Sequence, residues 1–294
     1  MTSSGRKLRE LISRDDLAIV PGAGSPLELR LIEAAGFEAA YISGYATAAN
    51  RFGLPDIGLI GFREVEDMIH AAVAVSTLPL IVDCDTGYGD VANVRRTVRS
   101  FEAAGAAALQ IEDQSWPKRC GHMEGKRIEP LDVAVRKIRA AVDSRRDDDT
   151  VIIARTDALG PLGIDEALNR CLLYKEAGAD VLFVDGPESE EHLVRIGGEL
   201  PGPVMVNMSE SGKTPILPAV RLRELGFAFV IYPSSSLRVE INAVSDFYRT
   251  LKRDGISTVW ADRMTSLDET NQLLGIDEFN LFADRMQSAA KSGL

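Results

Sequence analysis

Four segments of this chain end in nearly the same way: "EAAGF" at 33–37, "EAAGA" at 102–106, "EAGAD" at 176–180 and "ELGFA" at 224–228. Each glycine (Gly36, Gly105, Gly178, Gly226) falls where a helix needs a left-handed residue before the next strand begins. The strands read as eight apolar, β-rich runs: "LAIVPGA", "AAYISGY", "PLIVDCD", "ALQIED", "TVIIARTD", "DVLFVDG", "PVMVNMSE" and "FAFVIYP". They are near-continuous rather than alternating, as expected of parallel strands covered on both faces. Between them lie amphipathic segments of helix length, such as 91–105 and 164–178. An eightfold βα repeat predicts a (β/α)8 TIM barrel, assigned to residues 1–236. A doubly wound open sheet is the alternative, but no G-x-G-x-x-G follows the first strand.

Residues 237–294 exceed what one closing helix needs. They are expected to form a helical extension that completes the barrel and packs on a partner subunit. Composition narrows the other partners. A net charge of -11 with no basic stripe argues against nucleic acid. No run reaches the ~18 apolar residues of a membrane span, and the opening "MTSSGRKLRELISRDD" carries no apolar stretch to be cleaved. Cys84, Cys120 and Cys171 form no CxxC pair, which disfavours a disulfide framework and fits a reducing cytoplasm.

Active sites of such barrels lie at the carboxyl ends of the strands. The polar residues there are Ser43 and Gly44, Asp83 and Asp85, Glu112 and Asp113, Arg155 to Asp157, Asp185, Asn207 and Glu210, and Ser234. One such residue is ordinarily a helix N-cap. A ring of acids on consecutive strands is not explained that way, because clustered carboxylates repel unless a cation offsets them. In "DCDTGYG" (83–89), alternation along a strand would turn Asp83 and Asp85 to one side and Cys84 into the packing. With Glu112 they suit a hard divalent ion, magnesium or else manganese. Imidazole metals are poorly served, since His70 and His192 fall in helical segments. The loop "SWPKRCGHMEGKR" (115–127) sets Cys120 among Lys118, Arg119, His122, Lys126 and Arg127, and nearby cations raise a thiol's thiolate fraction. Cys171, on an apolar helix face, reads as core.

Taken together, "YISGY", "GLPD", "DCDTGYG", "IEDQSWPKRCGHMEGK", "IIARTDA", "NMSESGKTP" and "IYPSSS" resemble the isocitrate lyase/phosphoenolpyruvate mutase superfamily over almost the whole chain. Short members of that superfamily include lyases acting on 2-methylisocitrate and 2,3-dimethylmalate, which this chain resembles. The resemblance implies a magnesium-dependent carbon–carbon lyase acting on a small carboxylate, and a homotetramer built from helix-swapped dimers. It implies Asp83 and Asp85 as magnesium-site acids, with Glu112 and Asp56 in the hydrated shell. Ser43 and Gly44 would bind the substrate carboxylate, and Arg155 and Asn207 would make further substrate contacts. Cys120 would protonate the carbanion from a closing loop, with Lys118 beside it and Gly121 and His122 touching substrate. Tyr41 would be the base, or part of the path that removes the hydroxyl proton. Other members imply other chemistry: phosphonomutase, oxaloacetate hydrolase, or a barrel that only binds ligand.

Three positions depart from the lyase pattern. Asp185 in "FVDGP" stands where glutamate is usual, one methylene shorter. Tyr45 follows "SG" where methylisocitrate lyases carry small residues, which should narrow the pocket. "HMEGK" follows the cysteine as in malate-type lyases, whereas Arg238, after "YPSSS", points to the methylisocitrate group.

Overall fold

The structure is a computed structural model that describes residues 3–119, 125–210 and 212–291. Eight strands form one closed parallel barrel in chain order. They are β1 (Ala18–Ala23), β2 (Ala40–Ile42), β3 (Leu80–Asp83), β4 (Ala108–Glu112), β5 (Val151–Thr156), β6 (Val181–Val184), β7 (Val204–Asn207) and β8 (Phe229–Tyr232). Closure is made by β1 against β8, in a register running from Ala18↔Phe229 to Pro21↔Tyr232. The eight runs predicted as strands are these eight. Their continuous apolarity has a direct cause: alternate side chains enter either the barrel interior or the layer beneath the helices, and apart from Ile19 and Pro21 of β1 and Tyr232 of β8 they are shielded from water.

The helices of the first half are α1 (Ser4–Ile12), α2 (Pro26–Ala34), α3 (Gly44–Phe52), α4 (Phe62–Val73), α5 (Val91–Ala104) and α6 (Leu131–Ser144). Then follow α7 (Leu159–Leu162), α8 (Ile164–Glu176), α9 (Glu190–Glu199) and α10 (Ala219–Glu224). Gly36, Gly105, Gly178 and Gly226 take φ of 84°, 108°, 101° and 92°. Their shared position therefore marks the left-handed helix ending read from the repeats.

The barrel floor, at the amino ends of the strands, is closed by α1. Its Leu8, Leu11 and Ile12 join Val20, Tyr41, Ile81, Ile153, Phe183, Met205 and Phe229 in one interior cluster. Gly5 allows this approach, because a Cβ there would meet Asp149 O at 2.4 Å. Arg9 then locks the floor, donating to Asp149 O at 3.0 Å and to Asp180 at 2.9 Å.

The chain divides into two compact units between Leu237 and Arg238. The second unit contains most of α11 (Ser235–Asp254), a 3-10 turn at Thr258–Arg263, α12 (Leu267–Leu273) and α13 (Ile276–Lys291). Among its described residues no side chain is buried, and Val239, Tyr248, Leu267, Phe279, Leu281 and Phe282 are all largely exposed. No described helix is long and apolar enough to cross a membrane.

Candidate active site

The carboxyl ends of β3, β4, β5 and β6 bring acids together at the opposite end from α1. Asp56, Asp83, Asp85, Glu112, Asp157 and Asp185 are all buried. Only Lys118, Lys126 and Arg155 pair with them among the described residues. Six carboxylates against three cations leave the mouth short of positive charge, and burial makes that shortage expensive.

Lys118 stands at the centre of the first group. Its Nζ lies 2.6 Å from Asp56 Oδ1 and 2.6 Å from Asp85 Oδ1. The Asp85 contact is an ion pair rather than a well-directed hydrogen bond. Burial works against the ammonium, yet Asp85, Asp56, Asp83 and Glu112 together push its pKa well above the usual lysine value. Burial likewise pushes Asp85 up to about 7, against the opposing pull of Lys118. Glu112 is driven well above the usual range by burial despite Arg155, and its Oε1 has no hydrogen-bond partner.

The convergence of Asp83 and Asp85 has a different cause from the one expected. Strand β3 ends at Asp83, and Asp85 lies beyond it with φ of 48°. A left-handed turn, not strand alternation, brings it to the cluster; its backbone N–H donates to Asp83 Oδ1 at 3.1 Å. Cys84 does point into the packing and is fully buried. Gly44 gives Asp83 its room, since a Cβ there would sit 3.1 Å from Asp83 Oδ2. Ser43 caps α3, its hydroxyl accepting from Ala46 N at 3.2 Å. The positive end of the α3 dipole thus abuts the acids.

Arg155 organises the second group. Its Nε donates to Asp157 Oδ2 at 2.8 Å, its Nη2 to Asp157 Oδ1 and Asp185 Oδ2 at 3.1 Å each, and Glu112 lies 3.3 Å away. Asn207 Nδ2 donates to the other Asp185 oxygen at 3.2 Å. Asp185 therefore bridges two candidate substrate contacts, and its short side chain fits that span. Burial alone would raise Asp157, but Arg155 and Lys126 hold it well below the usual carboxylate range. Asp113, also read as a mouth acid, is structural: it takes hydrogen bonds from Thr156, Tyr174, Arg170 and the Asp157 backbone.

Tyr41 is buried inside the barrel and donates to Gln110 Oε1 at 3.1 Å, while Gln110 Nε2 donates to Asp83 Oδ1 at 3.3 Å. Burial, helped by Asp83, pushes the phenol well above its usual value. Tyr41 is thus a hydrogen-bond donor in a chain leading through Gln110 to Asp83. Gln110 was not singled out in the sequence, although a glutamine inside the apolar run "ALQIED" was a signal. Lys126 was read only as a neighbour of Cys120; in the fold its Nζ meets Asp157 at 2.9 Å. Tyr45 is partly exposed, and Arg238 is half-buried at the start of the second unit. Cys120, Gly121 and His122 lie outside the described residues. The segment that carries them is stapled at its base: Gln114 pairs with Ile128 and clamps Arg119 through both ends of its amide.

These acids fit a hard divalent cation. Their oxygens are buried, two of them (Asp85 Oδ1 and Glu112 Oε1) carry no hydrogen bond among the described residues, and a lysine ammonium already sits among them. Among the described residues no three acid or imidazole groups already converge on one point. A metal held here would keep part of its water shell, as magnesium does.

Comparison with known proteins agrees with this barrel and mouth. The phosphoenolpyruvate phosphomutase family model matches residues 8–252, and the chain belongs to that family. The 2,3-dimethylmalate lyase of Eubacterium barkeri is 43% identical over 276 residues, covering 94% of this chain and 96% of the relative. A crystal structure of 2,3-dimethylmalate lyase, a PEP mutase/isocitrate lyase superfamily member, superposes with a TM-score of 0.90 at 35% identity. It covers 100% of this chain and 96% of that one. Phosphonopyruvate hydrolase in complex with oxalate and Mg++ aligns with a TM-score of 0.88 at 29% identity, over 97% of this chain and 99% of that one.

Proposed function

We propose that this protein is a magnesium-dependent carbon–carbon lyase that cleaves a substituted malate, or a related 2-hydroxy di- or tricarboxylate, to a 2-oxo acid and a carboxylate. The observation that carries this reading is the cation-poor acid cluster around Lys118, set beside the Arg155 guanidinium and the amino end of α3. Acids alone would repel a dicarboxylate. With a divalent ion among them, the same mouth attracts one. A bound magnesium would supply a Lewis-acid anchor for the substrate's carboxylate and hydroxyl oxygens, and Asp83, Asp85, Glu112 and Asp56 would hold it, partly through water.

The chain's own groups then divide the work. Ser43 and Gly44 orient a carboxylate at the α3 terminus. The substrate hydroxyl loses its proton to solvent at the open mouth, with Tyr41 orienting the Asp83 side of the site through Gln110, and its oxygen becomes the carbonyl of the 2-oxo acid. The C2–C3 bond breaks, and its electron pair moves onto C3 and the adjoining carboxylate. Arg155 offsets that charge from a fixed position, since Asp157 and Asp185 already hold the guanidinium. The Cys120 thiol, with Lys118 in the same segment, protonates C3 and is reprotonated from solvent.

The test is a substrate panel with magnesium. Cleavage of 2,3-dimethylmalate yields pyruvate, methylisocitrate also yields pyruvate with succinate, isocitrate yields glyoxylate, and oxaloacetate hydrolysis yields oxalate. Pyruvate release from 2,3-dimethylmalate is the expected result; oxalate release alone, or no product, would overturn the lyase reading.

The assembly belongs to the same proposal. A groove of about 220 Å³ beside α2 and β8 is lined by Pro21, Leu31, Ile32, Phe37 and Tyr232. We read it as the seat of a C-terminal helix from a second copy, in a tetramer of helix-swapped dimers, which would cover the apolar faces of α11 and α13. A monomer by light scattering would sink this reading.

A further inference from the structure

A second cavity, of about 680 Å³, lies outside the acid cluster. Its walls come from the turn after β3 (Thr86, Tyr88), the start of α4 (Phe62), Trp116 and the first turns of α6 (Arg136, Lys137). None of Asp56, Asp83, Asp85, Glu112, Lys118 or Arg155 lines it. Its size falls within the range of small-molecule sites.

Two features give it chemistry. The walls are aromatic and held rigid: Phe62 stacks on Phe101 at 5.2 Å and meets Tyr88 edge-on at 6.2 Å. The second feature is Lys137. It is 94% buried, being only 6% exposed, and its single described hydrogen bond is a long one, 3.4 Å to Thr86 O. Among the described residues no carboxylate forms an ion pair with it, although Asp90 and Glu129 also border the cavity. The neighbouring Arg136 is already paired with Asp132. A buried lysine amine with one long carbonyl contact has donors left to fill, which an anion in the cavity can accept. Every other buried cation among the described residues has a carboxylate within reach: Lys118 has Asp56 and Asp85, Arg155 has Asp157, and Arg170 has Asp113.

We propose that this cavity is a second ligand site for a small organic anion with a flat apolar body, its carboxylate or phosphate paired with Lys137 and its body against Phe62, Tyr88 and Trp116. The occupant would touch both segments that feed the mouth. Thr86 directly follows Asp85 in the chain, and Trp116 lies two residues before Lys118. Binding would therefore modulate the acid cluster without entering it.

The probes are 2-naphthoate, 2-naphthyl phosphate and the uncharged 2-naphthamide, titrated into the full protein by calorimetry with magnesium and oxalate present. In a Trp260→Phe background, fluorescence of Trp116 gives a second readout. One equivalent of a naphthyl anion should bind with oxalate retained, at least tenfold more tightly than the amide. Lys137→Met should weaken it at least tenfold. The tighter of the two anions identifies the headgroup as carboxylate or phosphate. Equal binding of anion and amide by the unmutated protein, displacement of oxalate, or no change in Trp116 emission would each overturn the proposal, and the first needs no variant to fold.

Discussion

The floor and the mouth of this barrel handle charge in opposite ways. At the floor, Asp180 is fully matched: Arg9 and Arg145 reach its two oxygens at 2.9 and 2.6 Å, and Ile152 N donates to it at 2.8 Å. At the mouth, among the described residues, six buried carboxylates share three cations, and Glu112 Oε1 has no hydrogen-bond partner. A balanced, half-buried network serves stability. An unbalanced one is tolerated where a ligand supplies what is missing. The difference separates residues that hold the fold from residues that, on the proposed reading, bind a cation and a substrate.

That contrast can be broken by mutation. The largest effect is expected at the mouth: Asp85→Ala should remove magnesium binding by calorimetry and lower turnover by at least ~10²-fold, while the circular dichroism spectrum stays that of the folded protein. At the floor, Leu8→Ala should cost about 3 kcal/mol by denaturant unfolding, because Leu8 is fully buried against the barrel interior. Its magnesium affinity should be unaltered; a change there would mean the two ends are coupled. Cys120→Ser should retain metal and inhibitor binding but lose roughly 10²-fold in turnover, since a serine hydroxyl is a much weaker acid. Near-normal turnover would make the thiol a bystander.

A smaller effect sharpens the reading of position 185. Asp185 already accepts from Arg155 and Asn207 and is almost fully buried. Asp185→Glu adds a methylene to a filled site and should displace Arg155, lowering kcat/KM by up to about tenfold. A rise in kcat/KM would instead mark the aspartate as a lesion.

The two ends also differ in how far the sequence disclosed them. The strands and four helix endings were legible because burial on both faces and left-handed glycines leave local signatures. The floor was not. The apolar positions Leu8, Leu11 and Ile12 show that α1 has a buried face, but periodicity does not say what covers it. At the mouth the acids were legible as strand-end residues, whereas their pairings were not. Lys126 follows Cys120 in the chain yet binds Asp157, and Asp85 reaches the cluster through a turn that no strand pattern foretells. Gln110, a polar residue in an apolar run, was visible and went unread.

On the proposed reading, a divalent cation completes the mouth and not the floor. This is tested most directly by thermal unfolding with and without magnesium on the unmutated protein, Leu8→Ala and Asp85→Ala. At magnesium a hundredfold above its Kd, the first two should each gain about 2.7 kcal/mol from binding, and Asp85→Ala should gain none. No stabilisation of the unmutated protein, or an equal gain in Asp85→Ala, would contradict it.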